Sequence, residues 1–150
     1  RYAVKECLYH DFLLFRQMQS ARAEGVMIVG IHIRRSDYRV WTNGEFCYGD
    51  DVYQRIINQV RSQVFELSGR KCFFVVFHDE PIEHDFGDDV RLSSHDWFVD
   101  HALMGFCDLL VGPPSTFSMW AAFIGSAKLL HIMNPLQEIN LSDFRPQVVI

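Results

Sequence analysis

The sequence predicts an α/β domain built on a doubly wound parallel sheet. Three observations point there. Short apolar runs rich in β-branched residues, Val26 to Ile31 foremost, have the unbroken hydrophobicity of strands covered on both faces. Between them lie segments with helical spacing, so strand and helix alternate along the chain. Polar, chemistry-bearing residues gather just beyond the carboxyl ends of the apolar runs, where open α/β sheets bind their ligands.

Taken in order, residues 1–23 place Val4, Leu8, Phe12, Phe15 and Met18 at mostly helical spacing before Gly25, which predicts a leading amphipathic helix. Val26 to Ile33 is the first strand, expected at the sheet centre. Alternation puts Ile31 and Ile33 on one face and His32 and Arg34 on the other. Arg35 to Tyr48, with Asn43-Gly44 and several aromatics, is a loop long enough to fold over a ligand. Gly49-Asp50-Asp51 opens a crossover helix in which Val52, Ile56, Val60 and Val64 recur every fourth residue, and Gly69 stops it. Lys71 to Phe77 is the second strand and Val90 to Leu92 a short third. Asp96 to Cys107 is a helix, Asp108 to Val111 the fourth strand, Thr116 to Ser126 a helix, and Lys128 to Met133 the fifth strand. The right-handed crossover rule leaves few topologies, of which the order 3-2-1-4-5 is the Rossmann-like one. The tail, 134–150, is expected to dock against something outside the chain.

The chain of 150 residues fits a single domain, 1–150, with a core of useful size, and nearly half its residues are apolar. A formal charge of −5 argues against a general nucleic-acid or anionic-membrane surface, so any anion site must be local. No apolar run is long enough for a transmembrane helix. The four cysteines, Cys7, Cys47, Cys72 and Cys107, are widely spaced without a C-x-x-C, which disfavours a zinc site or redox pair and points to a reducing, cytoplasmic setting. The chain starts at Arg1 rather than Met, as an excised piece of a longer protein would. His78-Asp79-Glu80 and His84-Asp85 could bind a divalent ion, but solvated acidic loops commonly look like this, and no metal is expected. Gly30 lies within a strand rather than in a G-x-G-x-x-G turn, which disfavours a dinucleotide dehydrogenase.

In the order 3-2-1-4-5 the loop after Ile33 lies beside the loop after Val111. The second loop, Gly112-Pro113-Pro114-Ser115-Thr116-Phe117-Ser118, runs into a helix, so its hydroxyls and free N–H groups form a phosphate cradle. Arg34 or Arg35 would close on the same phosphates with a bidentate fork. Either feature alone has a plainer reading, as an ion pair with Asp37 or an ordinary helix cap. Their convergence favours a ligand.

His32-Ile33-Arg34-Arg35-Ser36-Asp37-Tyr38 resembles the H-x-R-R-x-D-Y motif of α-1,2-fucosyltransferases, relatives of the α-1,6- and protein O-fucosyltransferases. Asp100 to Met104, Cys107-Asp108 and Ser115 to Ala122 are similar to that family's D-x-x-x-M, C-D and S-[ST]-F-S-x-W-x-A blocks, in the same order. Ser36 stands where the family often has Gly, and Met119 where it often has Trp. The resemblance implies one half of a GT-B glycosyltransferase, the C-terminal half that binds GDP-fucose, with the missing N-terminal domain holding most of a glycan acceptor. It further implies metal-independent, inverting transfer, with Arg34 on the β-phosphate and Asp100 on the guanine edge. His32 would sit near base or ribose, and Ser115, Thr116, Phe117 and Ser118 around the phosphates. Arg35 either joins Arg34 at the phosphates or holds the loop through Asp37. Asp37 and Glu45 are the candidate acceptor bases, by location alone. The competing reading is a non-catalytic nucleotide or phosphosugar-binding module that retains the clamp; a metal phosphohydrolase is a weaker third.

Overall fold

The structure, a computed structural model, describes residues 13–94 and 96–148. Residues 1–12 of the expected leading helix, with Cys7, lie outside the described residues. The rest of that helix is α1 (Leu13–Ala23), which buries Leu14, Phe15 and Met18. There follow β1 (Met27–Ile33), α2 (Asp50–Ser68), β2 (Cys72–His78), β3 (Val90–Leu92), α3 (Trp97–Phe106), β4 (Leu109–Gly112), α4 (Thr116–Gly125), β5 (Lys128–His131) and β6 (Arg145–Pro146).

These strands form one sheet in the order β3-β2-β1-β4-β5-β6. The first five are parallel, so β1 is central and β4 is its neighbour across the reversal of winding. β6 departs from the expected all-parallel sheet, running antiparallel to β5. Alternation sorts the core into two layers. Val29, Ile31 and Ile33 pack with Val76, Val111 and the buried stripe of α2 on one face. Ile28, Val75, Phe77 and Leu110 pack against α1, α3 and α4 on the other.

The element ends follow local chemistry. Gly69 adopts the left-handed conformation (φ 68°) that α2 needs to stop, and its N–H returns to the Phe65 carbonyl at 2.8 Å. Asp96 caps α3 by accepting from the N–H groups of Phe98 and Val99. Arg22 closes the opposite edge of the sheet, donating to the Phe106 carbonyl at the end of α3 and to Asp108 at 3.1 Å, while Asp108 accepts the Ile28 N–H at 2.8 Å. A cation suits the negative end of a helix.

Part of the tail docks on its own domain. Ile139 and Phe144 are buried in the α2-side core. Gln59 and Gln63 of α2 accept the N–H groups of Ile139 and Leu141, both at 3.0 Å, and Arg55 donates to the carbonyls of Pro135 and Gln137. Polar side chains on the exposed side of α2 thus take up backbone groups that burial would otherwise leave unpaired.

Two helices on the other face approach unusually closely. A Cβ placed on Gly125 of α4 would collide with the carbonyl oxygen and the Cα of Gly105 in α3. Neither is a flexible atom. Gly125→Ala must push the helices apart and is expected to cost about 2–4 kcal/mol. Gly69→Ala, which meets nothing within 4 Å, carries only the left-handed backbone penalty, about 1 kcal/mol. Urea unfolding of both variants checks the ranking; equal losses would contradict the close crossing.

Candidate functional site

The carboxyl ends of β1, β2 and β4 carry the polar residues. β1 delivers His32 to the α3/α4 face and, one pleat later, Arg34 to the sheet edge. His32 is 4% exposed, and a Cβ on Gly112 would sit 2.7 Å from the His32 Cβ, so this strand pair tolerates only hydrogen there. Burial, with the Arg34 charge adding to it, lowers His32 to about 4. The imidazole is therefore neutral at pH 7. It lies 5.8 Å from the Phe117 ring, which in turn meets His101 edge-on at 4.8 Å.

Past β1 the backbone is held by a carboxylate from the neighbouring strand. Asp79, just beyond β2, accepts from the Arg35 N–H (2.9 Å), the Ser36 N–H (3.1 Å) and the Ser36 hydroxyl (2.5 Å). Burial alone would push Asp79 up, but these donors and the Arg34 charge outweigh it and hold the carboxyl below its ordinary value.

The two arginines divide their work differently from one of the sequence expectations. Arg34, not Arg35, pairs with Asp37: its Nε and Nη2 meet the two carboxylate oxygens at 2.8 and 3.1 Å. Arg35 points to the α2 side, donating to the Tyr48 carbonyl (3.0 Å) and to Asp50 (2.6 Å) at the start of α2. Adjacent residues in extended chain face opposite ways, and the 3₁₀ turn Asp37–Arg39 brings Asp37 round to the Arg34 side. Arg34 remains partly open to solvent, with Asp79 also 3.5 Å from its Nε.

The loops after β1 and β4 meet as expected. The Tyr38 hydroxyl donates to the Pro114 carbonyl at 2.5 Å, and the buried Tyr38 ring meets Trp41 at 4.8 Å in a tilted contact, and Trp41 meets Phe46 at 5.4 Å. At the start of α4, the Ser115 hydroxyl accepts from the Phe117 N–H, forming the N-cap. Ser118 is fully buried and donates to the Ser115 carbonyl at 3.0 Å, so it fixes the first turn and does not face solvent. Thr116 is exposed.

Asp100, in the first turn of α3, is 6% exposed and accepts from the Ser93 hydroxyl beyond β3. Burial raises it to about 6 despite that bond, and the His78 charge opposes the rise weakly. Asp37 lies at the opposite extreme. The Arg34 hydrogen bond holds its carboxyl below the usual range, which makes it a weak base while that pair is formed. Glu45 is exposed in the same loop. Among the described residues no three His, Cys, Asp or Glu side chains form a metal-binding group. The described helices include none long and apolar enough to cross a membrane.

Sequence reasoning gave Tyr48 and Ser93 no role, took Asp50 only as a helix-opening acid and weighed Asp79 only as a metal ligand. Asp79 had a signal, being the first acid beyond a strand expected beside β1. The other three act through the folded loop and have none. Asp79→Ala should cost about 2–4 kcal/mol, because two backbone N–H groups and a hydroxyl lose a charged acceptor. Its sign is readable against pH: the contribution is full above about pH 4, the unfolded value, and fades as pH falls through the lower folded value. Thermal melts of wild type and variant should therefore converge in acid; a constant gap down to pH 2 would contradict the role given to this carboxylate. Comparison of the chain with family models, curated proteins and solved structures finds no match.

Proposed function

We propose that this chain is the donor-binding half of a glycosyltransferase that takes GDP-fucose and supports metal-independent, inverting transfer of fucose to a glycan hydroxyl. The observation that carries the reading is the junction of two loops at the reversal of winding. Tyr38 ties the arginine-bearing loop to the loop that opens α4, which makes a loop carrying a cation the neighbour of a helix N-terminus. The motif resemblance names the nucleotide; the geometry is compatible with its length. β3, where Asp100 and Ser93 gather, is two strands from β1, roughly 9–10 Å at ordinary strand spacing. That is about the separation of a purine edge from its diphosphate.

In this reading Arg34 exchanges the Asp37 carboxylate for the β-phosphate. The guanidinium stays cationic at any working pH and neutralises charge as the sugar bond breaks, without a metal ion. The exchange also frees Asp37. With its hydrogen-bonded partner gone, the carboxylate becomes more basic and able to accept the proton of the acceptor hydroxyl, so donor binding readies the base. Arg35, anchored to Tyr48 and Asp50, keeps the loop in place, and Ser115 and Ser118 shape the α4 terminus whose N–H groups meet the phosphates. Asp100 accepts from the guanine ring N–H and exocyclic amine, and His32 lines the space beside the ribose as a neutral imidazole. The acceptor lies mainly against a preceding domain of the same protein. We place the activity in the cytoplasm, in keeping with free thiols at Cys47, Cys72 and Cys107.

GDP should bind this chain at least about tenfold more tightly than ADP, since adenine would leave the Asp100 carboxylate unpaired. Because the unliganded Asp100 is raised to about 6 and guanine needs the ionised form, GDP affinity should rise more steeply between pH 5 and pH 7 than ADP affinity, which gains only from ionisation of the terminal phosphate common to both. Calorimetry at the two pH values tests this; equal affinities would remove the guanine assignment.

Arg34→Lys keeps the charge but loses the fork. In protein that carries the acceptor-binding half, turnover of GDP-fucose should fall roughly a hundredfold or more, with melting temperature little changed. Unchanged turnover in a destabilised variant would leave Arg34 as a loop ion pair and return the chain to the class of nucleotide-binding modules.

A further inference from the structure

The outer face of α3 and α4 carries a large apolar surface that no described element covers. Trp97 and Phe98 of α3 and Met119, Trp120, Phe123 and Ile124 of α4 are between 40% and 71% exposed. Free side chains of this kind offer roughly 150–250 Å² each, so at these exposures they present on the order of 600–700 Å². That exceeds the largest patch of most monomers, about 300–600 Å², and approaches the roughly 800 Å² per partner of a stable interface.

The face is also shaped to receive itself. α3 and α4 run in the same direction, each returning from the carboxyl edge of the parallel sheet to its amino edge. Between them lies a groove of about 820 Å³ whose floor is the small residues Ala102, Gly105, Ala121 and Gly125. Trp97 and Phe98 stand at the amino-terminal end of that groove, their rings meeting edge-on at 5.9 Å. Large side chains thus stand at both ends of the face, Trp97 and Phe98 where α3 begins and Phe123 and Ile124 where α4 ends, with the floor of small residues between the helices. A two-fold axis perpendicular to the helices reverses their direction and brings Trp97 and Phe98 of each copy against the Ile124 end of its partner, the isologous contact of a C₂ dimer.

Charge does not oppose self-association. The groove lining includes no Asp, Glu, Lys or Arg, although the chain as a whole carries −5. A charged partner would find nothing to pair with, whereas a second copy meets no like charge at the contact. The close Gly105–Gly125 crossing makes the floor rigid backbone and leaves few side chains to order on association.

We propose that this chain forms a two-fold homodimer through the α3–α4 face, with Trp97 of each copy seated near Ile124 of the other. The proposal stands apart from the donor-site reading. Sedimentation equilibrium of the chain across the micromolar range should show a monomer–dimer equilibrium. Trp97→Glu and Ile124→Lys, both at exposed positions, should each weaken it by at least about tenfold while far-ultraviolet circular dichroism and the melting profile of the monomer stay native. An equimolar mixture of the two variants should recover association, because one of the two symmetry-related contacts then pairs opposite charges and the other is restored to Trp97 against Ile124. A wild-type chain that is monomeric throughout, or dimerisation undiminished in both variants, would overturn the proposal. Variants that are monomeric alone and remain so when mixed would overturn the two-fold pairing.

Discussion

The Asp79 carboxylate organises the functional edge of this domain. Extended chain leaving a parallel strand has backbone N–H groups with no ladder partner, and buried or half-buried N–H groups need one. Asp79, reaching over from β2, supplies both oxygens to the N–H groups of Arg35 and Ser36 and so fixes where β1 ends and the loop begins. Everything beyond is set by that anchor. The 3₁₀ turn places Asp37 against Arg34, Tyr38 falls where its hydroxyl reaches Pro114, and Arg35 is left facing Tyr48 and Asp50. A charge that would ordinarily be costly to half-bury is kept because it is met by three donors.

Two buried titrating groups place opposite demands on the same edge. His32 resists protonation, so acid costs the fold an increasing penalty from about pH 6.5 down to about 4. Asp100 resists ionisation, so its penalty is absent in acid and complete above about pH 6. The slopes oppose each other over much of the same interval.

Much of the fold was legible because its signals are local and repetitive. β1 announces itself by an unbroken apolar run, α2 by Val52, Ile56, Val60 and Val64 between two acids and a glycine, and the strand order follows once crossovers must be right-handed. β6 was not legible, since two residues, one of them Pro146, carry no period. The docking of the tail was hidden for a different reason. Ile139 and Phe144 are isolated apolar residues among polar ones, and their burial depends on Gln59 and Gln63, which read in the sequence as solvated helix surface. At the site, the pairing of loops could be reasoned from topology, but strand alternation puts Asp37 on the Arg35 side, and the 3₁₀ turn that brings it round to Arg34 has no period to read. Asp79 was weighed only as a metal ligand, because beside His78 and Glu80 it looked like one more acid in a solvated loop.

The short terminal strands bear on how the chain behaves in company. A sheet whose last strand exposes a row of unpaired N–H and C=O groups is a template for further strands, and uncontrolled growth from such an edge leads to fibres. Here β6 covers one flank of the sheet with only two residues, and Pro146 has no N–H to offer the next strand. The other flank ends in β3, three residues long with Arg91 at its middle. Neither flank can recruit a long neighbour in register, which leaves a chain rich in aromatic and β-branched residues resistant to edge-on polymerisation when concentrated.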